Sequence, residues 1–62
     1  MGSMAQTLRK QAQAKREKAA RVRQMAETLK HAADRQRIVR QAEALESEAA
    51  ALEGQAAERN DD

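Results

Sequence analysis

Alanine recurs at Ala5, Ala12, Ala19, Ala26 and Ala33, always seven residues apart. Three residues after four of these come Leu8, Lys15, Val22 and Leu29. A seven-residue apolar beat marks a helix that lays one stripe along a neighbour. With the alanines labelled a and the second set d, the other half of the chain repeats the scheme, with Ile38, Leu45 and Leu52 at d and Ala42, Ala49 and Ala56 at a. The beat does not cross the middle. Leu29 and Ile38 are nine residues apart, a rotation of about 900°, half a turn out of phase. One straight helix would put the two stripes on opposite faces, whereas a reversal near Asp34 lets them meet. The pattern predicts an all-α antiparallel helical hairpin, a two-helix coiled coil with an alanine/leucine seam, dimerising into a four-helix bundle. Its expected parts are a vector-derived leader at 1–3, helix 4–32, turn 33–34, helix 35–58 and an acidic tail at 59–62. The runner-up architecture is a single long helix in a larger assembly, since Ala32-Ala33 and Arg35-Gln36-Arg37 are all acceptable helix formers.

Laid antiparallel, the stripes suggest a register. Leu29 faces Ala42, Val22 faces Ala49, Ala26 faces Leu45, Ala19 faces Leu52 and Ala33 faces Ile38. Each layer sets a large side chain against an alanine, which lets the helices approach closely. The expected seam is thus Leu8, Ala12, Ala19, Val22, Ala26, Leu29, Ile38, Ala42, Leu45, Ala49 and Leu52. Lys15 is the discordant member, its ammonium expected to snorkel outward. Along one flank run Arg9, Arg16, Arg23 and Lys30, opposite Asn60, Glu53, Glu46 and Val39. Size and charge select the same pairing, with Arg16 meeting Glu53 and Arg23 meeting Glu46.

Local signals mark the ends unevenly. Ser3 and Gln6 have the spacing of a capping box. Asp34 is the only good cap candidate at the turn, which contains neither Gly nor Pro. Gly54 either stops the second helix or is tolerated inside it, and the alanines at 56 and 57 favour the second choice.

Composition narrows the field. Pro and Cys are absent, aromatics are absent, and alanine supplies most of the 40% hydrophobic content. The core must be thin, so a second copy or another helical protein is the expected stabiliser. Charged residues make up 35% of the chain, a level that disordered segments share, but regular heptads argue for order. No apolar run approaches the ~20 residues of a membrane span. Neither a span nor a signal-peptide core is found, so no membrane association is expected and the cytoplasm is the default location.

Catalysis is not expected. His31 is the single histidine, and it has the position of an exposed turn residue. Glu43, Glu46 and Glu48 lack the inward Glu-x-x-His pairing of di-iron bundles. No Gly-rich phosphate loop or nucleophile constellation is present. The reading is therefore no enzyme, no metal and no cofactor. Charge is segregated: seven basic residues, Arg9, Lys10, Lys15, Arg16, Lys18, Arg21 and Arg23, lie between 9 and 23 against Glu17 alone. That segment supports the alternative function, a small nucleic-acid-binding regulator neutralising phosphates with its first helix. No aromatic is available to stack on a base. The leading function is a non-enzymatic interaction or assembly module acting through self-association or helix docking. A second run of small residues, Ala44, Ala50, Ala51 and Ala57 with Ala14 and Ala20, offers either a solvated helical surface or a docking face.

In size and plan the chain resembles the Rop-type plasmid-copy-number family, helical hairpins that dimerise into a four-helix bundle. The RNA-contacting aromatic of that family has no counterpart here, so the resemblance implies an architecture and not a function. The stretches from Ala19 to Leu29 and from Asp34 to Leu45 also resemble small helical-hairpin proteins common in alphaproteobacteria. Those carry Asp-Pro-Glu where this chain has Asp34-Arg35-Gln36. That resemblance implies a hairpin and a bacterial source.

Overall fold

In the computed structural model, which describes residues 3–59, the chain forms helix α1 (Met4–Glu27), a four-residue turn and helix α2 (Ala32–Arg59). The helices pack against each other along their length. The chain reverses, so the single-rod alternative is set aside. The resulting body measures 46 × 17 × 8 Å, one helix layer thick. The serine half of the expected capping box starts α1. Ser3 has extended backbone (φ −80°, ψ 162°), and its hydroxyl accepts from the Gln6 amide at 3.0 Å. One of the orphan amides of the first turn is thereby satisfied.

The turn lies at Thr28–His31, three to five residues before the expected 33–34, so α1 stops at Glu27 and not at 32, and α2 starts at Ala32 and not at 35. Thr28 is where the helix tightens. Its amide donates to Met25 O at 3.1 Å, the Leu29 amide donates to Ala26 O at 3.1 Å, and the Thr28 hydroxyl donates to Met25 O at 2.7 Å. These are three-residue closures, which tighten the end of the α-helix into a 3₁₀-like turn, and the threonine hydroxyl supports them by bonding back to the Met25 carbonyl. Arg35 then secures the loop from the other side. Its Nη1 donates to Leu29 O at 3.0 Å and to Lys30 O at 2.9 Å. Asp34, expected to cap α2 from outside, is its third residue and places its carboxylate in the first turn, where the helix dipole favours negative charge. Ala33, expected to face Ile38 across the turn, is an exposed residue of α2.

The seam has also moved, by one heptad. At the open end Ala5 and Leu8 pack with Ala56, and Leu52 packs against that cluster. The expected register puts Leu52 level with Ala19, eleven residues from Leu8, which is roughly 16 Å along the axis. Extending that cluster along the shared heptad pairs Ala12 with Leu52, Ala19 with Leu45, Ala26 with Ile38 and Val22 with Ala42. A large side chain still meets an alanine in each layer. The physical reason lies at the ends: the expected register would carry the first two turns of α1 past the end of α2 and leave Ala5 and Leu8 uncovered. Sliding by seven residues buries both.

Gly54 sits inside α2, which runs on to Arg59, one residue beyond the expected 58. A Cβ built at Gly54 meets nothing within 4 Å. Gly54→Ala should therefore stabilise the hairpin by about 0.5–1 kcal/mol, as helix propensity dictates. Urea melts of the two proteins check this. An unchanged midpoint would show that α2 is frayed beyond Leu52 in solution.

Candidate functional site

The seam is carpeted with alanine. Ala5, Ala12, Ala42 and Ala49 are 0% exposed, Ala19, Ala26 and Ala56 are buried, and among the described residues Leu8 is the one large side chain buried with them. Val22, Ile38, Leu45 and Leu52 of the expected seam are only half-buried, as is Leu29, which now belongs to the turn. Ala5 and Ala56 lay outside the expected seam although they continue the same spacing. They join it because the register moved.

At 100° per residue the d and g positions fall on one side of the alanine stripe and the e positions on the other. In an antiparallel pair both helices put the same letters on the same side. One broad face therefore collects Met4, Leu8, Val22, Met25, Ile38, Leu45 and Leu52. Met4 and Met25 stand 49% and 59% exposed, too much for side chains that prefer an apolar setting. The opposite face is polar and carries the two expected ion pairs. Arg16 grips Glu53 through Nε to Oε2 at 2.8 Å and Nη2 to Oε1 at 2.6 Å. Arg23 grips Glu46 through Nε to Oε2 at 2.7 Å and Nη2 to Oε1 at 2.8 Å. Both are bidentate, the geometry in which arginine and carboxylate fit best.

Both pairs survive the one-heptad slide because of side-chain lean. Helical side chains tilt toward their own N-terminus, so Arg16 leans toward the open end and Glu53 leans toward the turn. The two long chains meet diagonally. The Asn60 expected opposite Arg9 lies outside the described residues.

Of the seven basic residues proposed for nucleic acid, Lys15, Arg16 and Arg23 are thus tied to α2 acids, with Lys15 Nζ 2.7 Å from Glu48 Oε1. Arg9 also has an interaction of its own. Lys10, Lys18 and Arg21 are exposed and form no ion pair among the described residues. Lys10 and Arg21 lie on the outer surface of α1 near Glu17, whereas Lys18 shares its g position with Met4 and Met25 at the edge of the apolar face. His31 is exposed at the turn, and no group of three or more His, Asp or Glu gathers among the described residues as a metal site. A shallow groove near the turn is lined by Arg23, Glu27, Arg35, Arg40 and Glu43 around Ala26, Ala32 and Val39. No helix among the described residues is long and apolar enough to cross a membrane.

The bidentate pairs imply a pH dependence. Glu46 is held below its ordinary 4.5 first by the hydrogen bond from Arg23, which outweighs the desolvation that pushes it up, and further by the charges of Arg23 and Arg16. Glu53 is lowered in the same way by Arg16. A carboxylate whose folded value is depressed contributes stability that is full above its unfolded value and is lost as pH falls through the folded one. The melting temperature should therefore drop on acidification below about pH 4.5. Arg16→Gln/Arg23→Gln should show a shallower drop over the same titration, followed by circular dichroism. Equal slopes would mean that the other acids carry the whole effect.

The chain matches no family model, and comparison with curated proteins and with solved structures finds no match.

Proposed function

We propose that the chain is a non-enzymatic helical assembly module that works by self-association, two hairpins closing into a four-helix bundle. One observation carries the reading. Alanine and Leu8 fill the buried seam, while Val22, Ile38, Leu45 and Leu52 keep part of their surface uncovered and Met4 and Met25 stand 49% and 59% exposed, all on one broad face. Apolar surface gathered on one side of a layer 8 Å thick is what a second layer covers in ordinary domain architecture. The polar face, crossed by two bidentate ion pairs, stays toward water. Sedimentation equilibrium from 1 to about 200 µM is the direct test, and a dimer in the micromolar range or tighter is expected. A well-folded monomer throughout would overturn the proposal.

The exposed trio Lys10, Lys18 and Arg21 favours a second reading, a nucleic-acid-binding surface on α1. Three cations neutralise few phosphates, so binding on this reading is weak, with a modest salt slope of about −2 to −3. Fluorescence anisotropy with duplex DNA and RNA at two salt concentrations decides it. Absent or salt-indifferent binding removes this reading and leaves the assembly module untouched.

A further inference from the structure

The apolar face is not uniform. Lys15 and Glu48 meet in its middle, Nζ to Oε1 at 2.7 Å, with side chains 37% and 54% exposed. Lys15 is close to the midpoint of α1 (Met4–Glu27), and Glu48 lies near the midpoint of α2 (Ala32–Arg59). To the open-end side lie Met4, Leu8 and Leu52. Toward the turn lie Val22, Met25 and Ile38, with Leu45 between. The face is two apolar patches divided by one ion pair and edged at other g positions by Gln11, Lys18, Gln41 and Gln55, all exposed.

We infer that this ion pair sets the orientation in which a second copy of the chain docks: α1 of each hairpin lies on α2 of the other, with both turns at the same end. This deepens the assembly reading and rests on it. Two face-to-face arrangements have two-fold symmetry. With the dyad across the hairpins, α1 lies antiparallel on its copy, which stacks Lys15 on Lys15, puts Lys18 close by, and sets Glu48 beside Glu48. With the dyad along the hairpins, each Lys15 lies over a Glu48 of the opposite copy, and four alternating charges close a ring. Like charges placed together at an interface are strongly unfavourable, so the second arrangement is selected.

The wider charge distribution selects it again. Helix α1 carries seven Lys and Arg against two Glu, whereas α2 carries six Asp and Glu against four Arg. Packing α1 on α2 alternates the sign around the bundle, while packing α1 on α1 opposes seven cations to seven. The size of the surface also fits a second copy. A face of 46 × 17 Å is close to the ~800 Å² that each partner of a standard stable complex buries. A polar pair in the middle of an apolar interface costs stability and in return fixes register, the best-attested use of such a pair.

Charge reversal tests the pairing. Lys15→Glu and Glu48→Lys each turn the ring into like charges, so each variant alone should dimerise at least tenfold more weakly than the unmodified chain in sedimentation. Mixed in equal amounts, the two should recover a one-to-one complex, because each presents the sign the other lacks. The double variant Lys15→Glu/Glu48→Lys should recover the homodimer. Orientation is read separately from a spin label on His31→Cys, convenient because the chain has no cysteine of its own. With both turns together, the label-to-label distance is about two helix diameters, ~20–25 Å. With the turns apart it approaches the 46 Å length of the body. An unmodified chain that stays monomeric overturns the assembly reading and this inference together. A dimer indifferent to either reversal, or one giving the long distance, overturns only the orientation.

Discussion

Ala49→Leu is expected to lower the melting temperature by roughly 5–20 °C, the equivalent of about 1–3 kcal/mol for a chain of this size. Ala49 is 0% exposed, closed in on the buried stripe between the two helices. Three added carbons must push the helices apart along a seam whose other layers, Ala12 and Ala42 among them, are equally closed. Ala50→Leu is the control, since Ala50 is the next residue and exposed, where a change within about 0.5 kcal/mol is expected. Both substitutions add the same side chain to the same helix, so propensity and solubility cancel in the comparison. Thermal melts by circular dichroism measure it. Equal melting temperatures, or a higher one for Ala49→Leu, would show that the helices are not held at alanine spacing.

The hairpin and its polar flank were legible because both are periodic. Alanines at 5, 12, 19 and 26 answer those at 42, 49 and 56, and Arg16 and Arg23 answer Glu53 and Glu46, so the antiparallel pairing follows from sequence. The register did not follow, for the same reason. A seven-residue repeat looks identical after a slip of seven residues, so the size pattern alone has two equally good solutions. What separates them is covered seam at the open end, where Ala5 and Leu8 need Ala56 beside them. The turn was hidden because its signals are side chains and not glycine or proline. Thr28 bonding back to Met25 O, and Arg35 reaching across to Leu29 O and Lys30 O, leave no composition signature. Asp34 misled because an acid serves equally well as a cap and inside the first turn of a helix. Lys15 was recognised as out of place in the seam, but its partner, Glu48, is a g residue that no size or flank rule pairs with it.

Leu8→Ala should be the most damaging truncation in the chain. Leu8 is 8% exposed, the single large apolar side chain buried among the described residues, and it joins Ala5, Ala56 and Leu52 in one cluster. Removing it costs about 2–5 kcal/mol in transfer energy and residual cavity, on a fold whose remaining core is alanine. The open end of α1 should fray, and helicity at 37 °C should fall even in dilute solution. Leu45→Ala provides the informative contrast. Leu45 is less completely buried than Leu8 in the hairpin alone, so its truncation should cost less than Leu8→Ala at low micromolar concentration. Its cost should then grow with concentration, because the docked second copy covers Leu45 and binding stabilises the folded form by mass action. Melts of both variants at 2 µM and 200 µM measure the difference. A Leu45→Ala cost that is the same at both concentrations would place Leu45 on a surface that no second hairpin covers.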